Sequence, residues 1–341
     1  MERWRLLIDK TTNPYRHFAV EEAVMRSIDE DRSPNTLRIR MVEPCVFLGF
    51  YQHPEEDTDV GYCKSRGIKI IRRMNPGGAV YQDEGTFCYS AMFKKSFLQN
   101  RNIQNTDELY SVFGNAVINT LSLYHVRAQL SPVNDITVNQ KKIYGSAQLD
   151  WYSAFVHSGS FLINVDKDEL EKTLKPSMMK FADKGFSNVR ERVVNLSELV
   201  NEPVDIAAFQ QNFIEEVKKT LNVDLHQEGL SDYEKQLSSE LYQDKYSRPE
   251  WTFSEKRSHT QVFATKINSG VLTFSIDIQY GTIRNIKISG DFLIANTQNI
   301  IQLEEALKNH TLPKSTFIVN QFELPADIRE GIIKLLKNIQ I

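Results

Sequence analysis

Hydrophobic positions in the first part of the chain alternate between a strand-like period and a helix-like period. Between the first two strand-like runs, Asn13 and Pro14 are typical of the cap and first turn of a helix. Apolar residues recur every three or four positions from residue 106 to 124, which predicts an amphipathic helix. The chain therefore opens with short strands and helices in alternation. The strand-like runs occupy residues 4–8, 36–41, 45–50, 68–71 and 87–93.

Strands, then helices, then a separate tail follow. Residues 127–165 predict several strands. Pro249 stops helical continuation within the segment KYSRPEW, so we expect a domain boundary there. The tail beyond it predicts a compact α+β unit and contains no cluster of reactive residues, which favours an accessory role. Helical patterns occupy residues 166–174, 206–221 and 233–242, and the expected domains are residues 1–246 and 247–341.

Composition excludes several protein classes. The 341 residues are 41% hydrophobic and 25% charged, as in ordinary globular proteins, and the net charge of -3 gives no bias towards nucleic acid. Cys45, Cys63 and Cys88 form no pair with metal-ligand spacing, and so sparse a set is typical of a reducing compartment. The first ten residues lack a signal-peptide pattern, and no run reaches the roughly 18 apolar residues of a membrane helix. We expect a cytoplasmic protein without membrane or nucleic-acid partners.

A glycine-rich turn follows two arginines in RRMNPGGAVYQD, residues 72–83. Glycine lets a ligand approach the backbone closely, and successive N–H groups in such a turn can hold an anion. Arginine adds a planar, charged donor group suited to phosphate or carboxylate. An ordinary hairpin turn with a solvated basic edge explains the segment equally well. It matches neither the P-loop nor the dinucleotide-binding pattern.

A lysine pair begins a predicted strand in NDITVNQKKIYGSAQ, residues 134–148. Strict alternation places Lys142 on one face with Tyr144, Ser146 and Gln148, so Lys142 is the better candidate for a polar pocket. Gly145 would let a ligand approach the backbone. The alternative is a pair of solvated lysines beside a turn.

Two further segments carry polar residues of possible function. His157 lies on a mostly apolar strand in FVHSGSFLINVD, residues 155–166, where a structural histidine is the simpler interpretation. Arg190 and Arg192, within KGFSNVRERVVNLSE, are exposed charges by default. Neither segment is specific by itself.

Taken in order, these four segments resemble the lipoate–protein ligase family. RRMNPGGAVYQD matches most of that family's arginine and glycine motif, and KGFSNVRERVVNL matches its late Lys-Gly and Val-Arg segment. The resemblance covers the first 250 residues, and the tail resembles the accessory domain of bacterial members. The lysine and histidine motifs are matched by Asn134, Asp135, Ile136, Lys142, Ile143, Gly145, Ser146, Ala147 and residues 157–162.

The resemblance implies an α+β fold of the biotin- and lipoate-ligase type, related to class II synthetases, with mixed sheets flanked by helices. It also implies a two-step reaction in which lipoate and ATP form lipoyl-AMP, and the lipoyl group then passes to a lysine. The acceptor would be a lipoyl domain or a protein like the glycine cleavage H protein. We expect a monomer that uses Mg²⁺ with ATP.

Site residues follow from the same resemblance. Lys142 would be catalytic and contact both lipoate and the adenylate, and Asp135 would be a candidate Mg²⁺ ligand. The alkyl tail would need an apolar slot lined by strands around residues 87–92 and 155–162. The other ATP contacts would be Arg73, Gly77, Gly78, Ala79, Val80, Tyr81, Asn134 and Asp135, and the other lipoate contacts Asn75, Gly145 and His157.

Departures from the family pattern leave two rival functions open. Asn75, Pro76 and Gln82 replace Ser/Thr, glycine and histidine of the motif, and Val133 replaces an arginine. One rival is an octanoyl- or lipoyl-transferase that uses no ATP, but such an enzyme needs a nucleophilic cysteine near the lysine motif. The other is a paralogue that binds lipoate or its carrier protein without turnover.

Overall fold

A mixed eight-stranded sheet forms the centre of the larger unit. The computed structural model describes residues 1–131, 134–175, 188–253 and 261–339. The strand order is β11-β1-β2-β6-β10-β9-β8-β7, in which β1 is parallel to β11 and β2 and the other pairs are antiparallel. The strands are β1 (Glu2–Asp9), β2 (Thr36–Arg40), β6 (Thr86–Lys94), β7 (Gln129–Ser131), β8 (Asp135–Val138), β9 (Lys141–Trp151), β10 (Ala154–Leu162) and β11 (Val223–Gln227).

Helices cover both faces of this sheet. One face packs through phenylalanines and other large side chains against α5 (Thr106–Ser122) and α8 (Ile206–Leu221). The other face packs against α1 (Pro14–Asp29), which begins where the Asn13 side chain accepts hydrogen bonds from two backbone N–H groups. The predicted start of α1 and the predicted amphipathic helix are thus confirmed.

A second, three-stranded sheet carries the glycine-rich turn. Its central strand β3 (Cys45–Leu48) is parallel to β4 (Lys69–Arg72) and antiparallel to β5 (Val80–Gln82). The turn connects β4 to β5 and is called the glycine loop below, residues 73–79. The structure therefore holds this loop between two paired strands.

The C-terminal unit has its own sheet and its own core. The strands β12 (Gln261–Ile267), β13 (Gly270–Gln279) and β14 (Thr282–Gly290) form an antiparallel meander. The helices α11 (Gln298–Leu307), α12 (Leu312–Val319) and α13 (Ala326–Asn338) accompany it. A small α+β unit was predicted here and is confirmed, while the domain boundary between residues 246 and 247 stays a prediction.

The segment before this unit is fastened to the larger unit. Lys245 Nζ and Tyr246 Oη each lie 2.6 Å from the buried Glu22 carboxylate. Arg72 donates hydrogen bonds to the carbonyls of Trp251 and Thr252, at 3.1 and 2.8 Å. These contacts attach residues 245–252 to the larger unit.

The two units touch beside the glycine loop. Tyr51 stacks on Phe292 with ring centroids 4.9 Å apart, and its hydroxyl donates to the Thr297 carbonyl at 2.7 Å. Asp150 N–H donates to the Ala295 carbonyl at 2.9 Å. The C-terminal unit thus packs against the larger unit through aromatic and backbone contacts.

Shorter helices complete the described chain. None of the helices in the described part of the chain combines the length and the apolar character that a membrane span requires. The remaining helices are α2 (Pro54–Asp57), α3 (Val60–Arg66), α4 (Ser96–Gln99), α6 (Lys167–Thr173), α7 (Val189–Arg192), α9 (Asp232–Leu241) and α10 (Pro249–Thr252).

Candidate active site

One cavity of about 290 Å³ lies between the main sheet, the glycine loop, α1 and the C-terminal unit. This volume is close to the lower end of the range for small-molecule sites, about 300 Å³. The cavity brings together most residues that the sequence singled out. They are Arg73, Asn75, Gly77, Gly78, Ala79, Val80, Tyr81, Asn134, Asp135, Lys142 and Gly145.

A row of residues crosses the main sheet along the cavity. Arg40 stands opposite Cys88, Cys88 opposite Ser160, Ser160 opposite Gly145, and Gly145 opposite Asp135. All five line the cavity. Because directly paired residues share a face, the cavity follows this row from β2 to β8.

Lys142 lies at the β8 and β9 end of the row, within a cluster of charges. Its Nζ is 2.7 Å from Asp135 Oδ1, and Arg192 donates to Asp135 Oδ2 at 3.0 Å. The Lys142 side chain lies over Gly145, where an added Cβ would be 2.3 Å from Nζ. Gly145 therefore leaves the space in which the ammonium group reaches the cavity.

A bulge corrects the predicted face of Lys142. Tyr144 pairs with Ile136 but Lys142 pairs with Thr137, so Ile143 is an extra residue on β9. Such an insertion reverses the alternation. Lys142 consequently faces the cavity, whereas Tyr144 lies in the aromatic core with its hydroxyl 2.7 Å from that of Tyr89.

Arg73 stabilises the glycine loop through hydrogen bonds to backbone carbonyls. Its guanidinium donates to the carbonyls of Phe47 at 3.0 Å, Pro76 at 3.0 Å and Gly78 at 2.9 Å. Burial lowers the pKa of Arg73 to about 10, so the group remains charged at neutral pH. Gly77 has φ of 100°, which a residue with a side chain adopts only with strain.

Asn75 and Gln82, two of the residues that depart from the family motif, are buried. The Asn75 side chain lines the cavity, and its Nδ2 has no hydrogen-bond partner in the structure. Gln82 accepts from Cys88 Sγ at 3.1 Å and donates to Ser160 Oγ at 3.3 Å, which joins β5 to the main sheet. Gln82 thus has a bridging role that needs no titratable group.

His157 does not reach the cavity. Its ring stacks on Phe113 with centroids 4.2 Å apart, and its nitrogens contact Gln148 at 3.2 Å and Tyr144 at 3.3 Å. It shares the core face of β10 with its i±2 neighbours, while Ser158 and Ser160 line the cavity. The structure therefore does not support the predicted lipoate contact of His157.

His157 is expected to make stability depend on pH. Burial lowers its pKa to about 3, whereas an unfolded histidine titrates near 6.5, so the unfolded chain binds an extra proton between these values. Its contribution is complete above about pH 6.5 and declines by about 1.4 kcal/mol per pH unit as pH falls. Urea unfolding at pH 4.5–7 should show this slope.

In the His157→Gln variant, stability should depend less on pH, because the contribution of one titrating histidine is removed. Part of the slope remains, because burial also lowers the pKa of His17. His125→Asn is the comparison variant, because it removes an exposed imidazole to which the burial argument does not apply. Equal slopes for wild type and His157→Gln would contradict the expectation.

Several lining residues were missed from the sequence. Arg192 was interpreted as an exposed charge, but it contacts Asp135 and lines the cavity. Glu21 and Arg40 line the end of the cavity at β2. The sequence TLRIRM alternates so that Arg38 and Arg40 share one face, and this pattern could have indicated a buried charge. The C-terminal unit also contributes wall residues, although an accessory role was expected. These are Lys266, Ile267, Asn268, Ser269, Gly270, Val271, Asp291 and Leu293.

Parts of two predicted motifs cannot be placed. Residues 184–187 of the KGFSNVRERVVNL segment and Val133 lie outside the described residues. The described part of that segment begins at Asn188, whose side chain caps α7 by accepting from Glu191 N–H.

Comparison with known proteins supports the same interpretation. Residues 13–218 match the model of the lipoyl protein ligase A/B catalytic domain, and residues 258–318 match that of the bacterial lipoate protein ligase C-terminus. The chain is 28% identical to lipoate–protein ligase 1 of Staphylococcus aureus, over 87% of this chain and 86% of the relative. It is 30% identical to lipoate-protein ligase A subunit 1 of Thermoplasma acidophilum, over 74% and 96%. An octanoyltransferase, LipM of Clostridioides difficile, is 25% identical over 74% and 98%.

Solved structures give the same result. A bipartite lipoate protein ligase from T. acidophilum, studied with its E2 lipoyl domain, superposes with a TM-score of 0.66 at 28% identity, covering 76% of this chain and all of that one. A T. acidophilum protein described as a putative lipoate protein ligase with bound lipoic acid gives 0.63 at 29%, covering 74% and 100%. A lipoate-protein ligase A bound with ATP gives 0.63 at 29%, covering 74% and 99%.

These matches confirm the predicted fold, in which mixed sheets are flanked by helices and a small α+β unit follows. The catalytic-domain model alone spans residues 13–218, more than half of the 341-residue chain. The chain belongs to the lipoyl protein ligase A/B family and carries the C-terminal domain of the bacterial lipoate ligases.

Proposed function

We propose that the chain is an ATP-dependent lipoate–protein ligase. It activates lipoate to lipoyl-AMP and transfers the lipoyl group to a lysine of an acceptor protein. The observation that carries the proposal is Lys142, which extends over Gly145 into the same cavity as the glycine loop. Relatives whose structures contain ATP or lipoic acid support both substrates.

In the first step, a lipoate carboxylate oxygen attacks the α-phosphorus of ATP. A new P–O bond forms, the bond to the β-phosphate oxygen breaks, and pyrophosphate leaves with that electron pair. Two anions must approach each other, and negative charge builds on the phosphoryl oxygens. The Lys142 ammonium offsets both effects because Asp135 and the sheet hold it in place before the reaction.

Arg192 adds a second cation beside the same carboxylate. Arg192 Nη2 lies 3.0 Å from Asp135 Oδ2, and Lys142 contacts the other oxygen of the same carboxylate. Asp135 therefore holds both cations beside the same part of the cavity. We assign Asp135 as a positioning residue for both cations. Asn134, whose side chain donates to the Ser146 carbonyl, fixes the start of β8 beside them.

The glycine loop is the proposed binding segment for the nucleotide phosphates and the adenylate. Pro76 supplies no N–H, so the donors would come from Gly77, Gly78 and Ala79. Arg73 maintains the loop through its three carbonyl contacts, which is a less direct role than the predicted ATP contact. Val80 and Tyr81 continue the cavity wall along β5.

In the second step, the neutral amine of an acceptor lysine attacks the lipoyl carbonyl carbon. An amide bond forms, the acyl–phosphate C–O bond breaks, AMP leaves with the electron pair, and the amine proton passes to solvent or base. A lipoyl domain is the proposed acceptor class, in line with the lipoyl domain studied with the T. acidophilum ligase. A protein like the H protein of glycine cleavage would accept the lipoyl group on a lysine by the same reaction.

The residues present do not fit a resident Mg²⁺. Both oxygens of Asp135 contact cations, Lys142 and Arg192. Among the described residues, no group of three or more His, Cys, Asp and Glu is placed to hold a metal. We therefore assign no metal to Asp135, and magnesium enters only as part of the nucleotide substrate complex.

Transfer without ATP is the second candidate, because an octanoyltransferase is among the relatives. Such a reaction needs a thiolate to carry the acyl group. The chain's three cysteines are all buried, and burial raises the pKa of Cys88, the one that lines the cavity, to about 11. These properties favour the ligase over the transferase.

Exchange of labelled pyrophosphate into ATP tests the proposal. The ligase predicts exchange that requires lipoate. Acyl transfer between carrier proteins without ATP, in the absence of exchange, would establish the transferase instead. Lipoate binding with neither reaction would indicate a non-catalytic paralogue.

A further inference from the structure

A buried polar cluster occupies the end of the cavity farthest from Lys142. Arg40 donates from Nη1 to Ser90 Oγ at 2.6 Å, and its Nη2 lies 3.2 Å from Glu21 Oε2. Ser90 also contacts Ser158 Oγ at 2.8 Å and donates to Glu21. Arg40 and Glu21 are 4% and 1% exposed, so this charge pair is shielded from solvent.

This cluster places a charge pair at one end of the apolar slot that the sequence predicted. The phenylalanines of β6 and β10 face the opposite side of the sheet, where they pack against α5 and α8. On the cavity side, the same strands present Cys88, Ser158, Ser160 and the apolar Leu162. Phe18 and Phe47 supply apolar wall beside Arg40.

The length of the cavity suits an acyl chain that runs from Lys142 to Arg40. Arg40 and Gly145 are three strands apart in one row, which is about 14 Å at about 4.8 Å per strand. An extended eight-carbon chain spans about 9 Å, at about 1.2 Å per bond as in an extended backbone. The Arg40 side chain covers the remaining distance, so the far end of the chain would meet it.

One nitrogen atom of Arg40 has no hydrogen-bond partner at this end. This atom is Nε, which is buried. A ligand that displaces water from the cavity without offering an acceptor would leave this N–H unpaired and desolvated. Unpaired buried donors are costly, and a site built around one rejects the analogue that lacks its partner.

We propose that Arg40 selects acyl chains whose far end carries a hydrogen-bond acceptor over plain alkyl chains. The inference rests on the proposed function and names its substrate class. The sulfur atoms of a dithiolane qualify as weak acceptors, and a terminal hydroxyl is a stronger one. A carboxylate at the far end of the acyl chain would bind poorly. Glu21 already neutralises Arg40, so the ligand carboxylate would be repelled by the Glu21 carboxylate.

Competition between three acids tests the inference on the full-length protein. Lipoate, octanoate and 8-hydroxyoctanoate are compared by kcat/KM for pyrophosphate exchange and by calorimetric Kd. Wild type should favour lipoate and 8-hydroxyoctanoate over octanoate by about tenfold or more, the effect of one hydrogen bond to a charged group. In the Glu21→Gln/Arg40→Met double variant, which leaves no unpaired charge, the preference should fall to within about threefold.

The buried pair of Arg5 and Glu234 provides the matched control. Arg5 lies on the neighbouring strand β1, its partner is Glu234, and neither residue lines the cavity. The Glu234→Gln/Arg5→Met double variant should lower stability and leave the ratio between the acids unchanged. Equal binding of the three acids by wild type, an unchanged ratio in the Glu21→Gln/Arg40→Met variant, or an equal change in the Glu234→Gln/Arg5→Met variant would each overturn the inference.

The two proposals can fail separately. If pyrophosphate exchange occurs equally with all three acids, the result supports the proposed ligase activity and contradicts the proposed selection by Arg40. If no exchange occurs, the ligase fails, and the calorimetric ratio between the acids still decides whether Arg40 selects them.

Discussion

Lys142→Ala is expected to lower lipoate-dependent pyrophosphate exchange by about 10²–10³-fold, the usual cost of removing one preorganised donor from a developing charge. The loss should appear mainly in kcat. The ammonium group is placed over Gly145 by Asp135 before any substrate binds, and its greatest effect comes when charge builds on phosphorus. Initial exchange rates at saturating ATP and lipoate measure it.

Lys141→Ala is the matched control for this prediction. Lys141 is the exposed neighbour of Lys142 and does not line the cavity. The Lys141→Ala variant should catalyse pyrophosphate exchange at the wild-type rate, and its urea unfolding midpoint should equal that of wild type. Full exchange in Lys142→Ala, or an equal loss in Lys141→Ala, would remove Lys142 from the proposed chemistry.

Arg73→Met has the second largest expected effect, and it should combine lost activity with lost stability. Three carbonyls lose their charged donor, which should lower the free energy of unfolding by about 2–4 kcal/mol. The glycine loop would shift, and a misplacement of about 1 Å typically costs about 10²-fold in rate. Urea unfolding and pyrophosphate exchange on the same samples measure both effects.

Arg73→Lys separates charge from geometry. Lysine keeps the positive charge but cannot contact Phe47, Pro76 and Gly78 through a planar fork, so most of the loss should persist. Arg66→Lys, at an exposed arginine paired with Glu169, should change neither quantity. Normal stability of Arg73→Met with a raised KM for ATP alone would instead make Arg73 a direct nucleotide ligand.

The start of α1 and the glycine loop were accessible from the sequence because local signals define them. Asn13 and Pro14 marked the start of α1, and the double arginine with two glycines marked the loop between β4 and β5. Such features depend on residues close together in the chain. Turn chemistry and capping are therefore readable without the fold.

The sequence identified Lys142 as a candidate for a polar pocket, but it did not give the face of the strand on which Lys142 lies. Alternation along β9 grouped it with Tyr144, but the extra residue Ile143 reverses the alternation. A bulge depends on the pairing with β8, which one strand's sequence does not reveal. Lys142 consequently lines the cavity on the side opposite to the one predicted.

The far end of the cavity depends on packing between distant segments. Arg40 meets Glu21 and Ser90 only when β2, α1 and β6 assemble, and the phenylalanines of β6 turn to the other face. The wall from the C-terminal unit likewise requires two units to touch. Long-range contacts of this kind explain why the sequence predicted an apolar slot but not the charge pair at its end.

The central claim is that ATP supplies the energy for lipoyl transfer through an adenylate. The most direct measurement combines mass spectrometry of a lipoyl-domain acceptor with quantification of nucleotides after incubation with lipoate. The account predicts one AMP formed for each lipoylated acceptor lysine, and no lipoylation when ATP is omitted. Lipoylation without ATP, or with ADP in place of AMP, would contradict it.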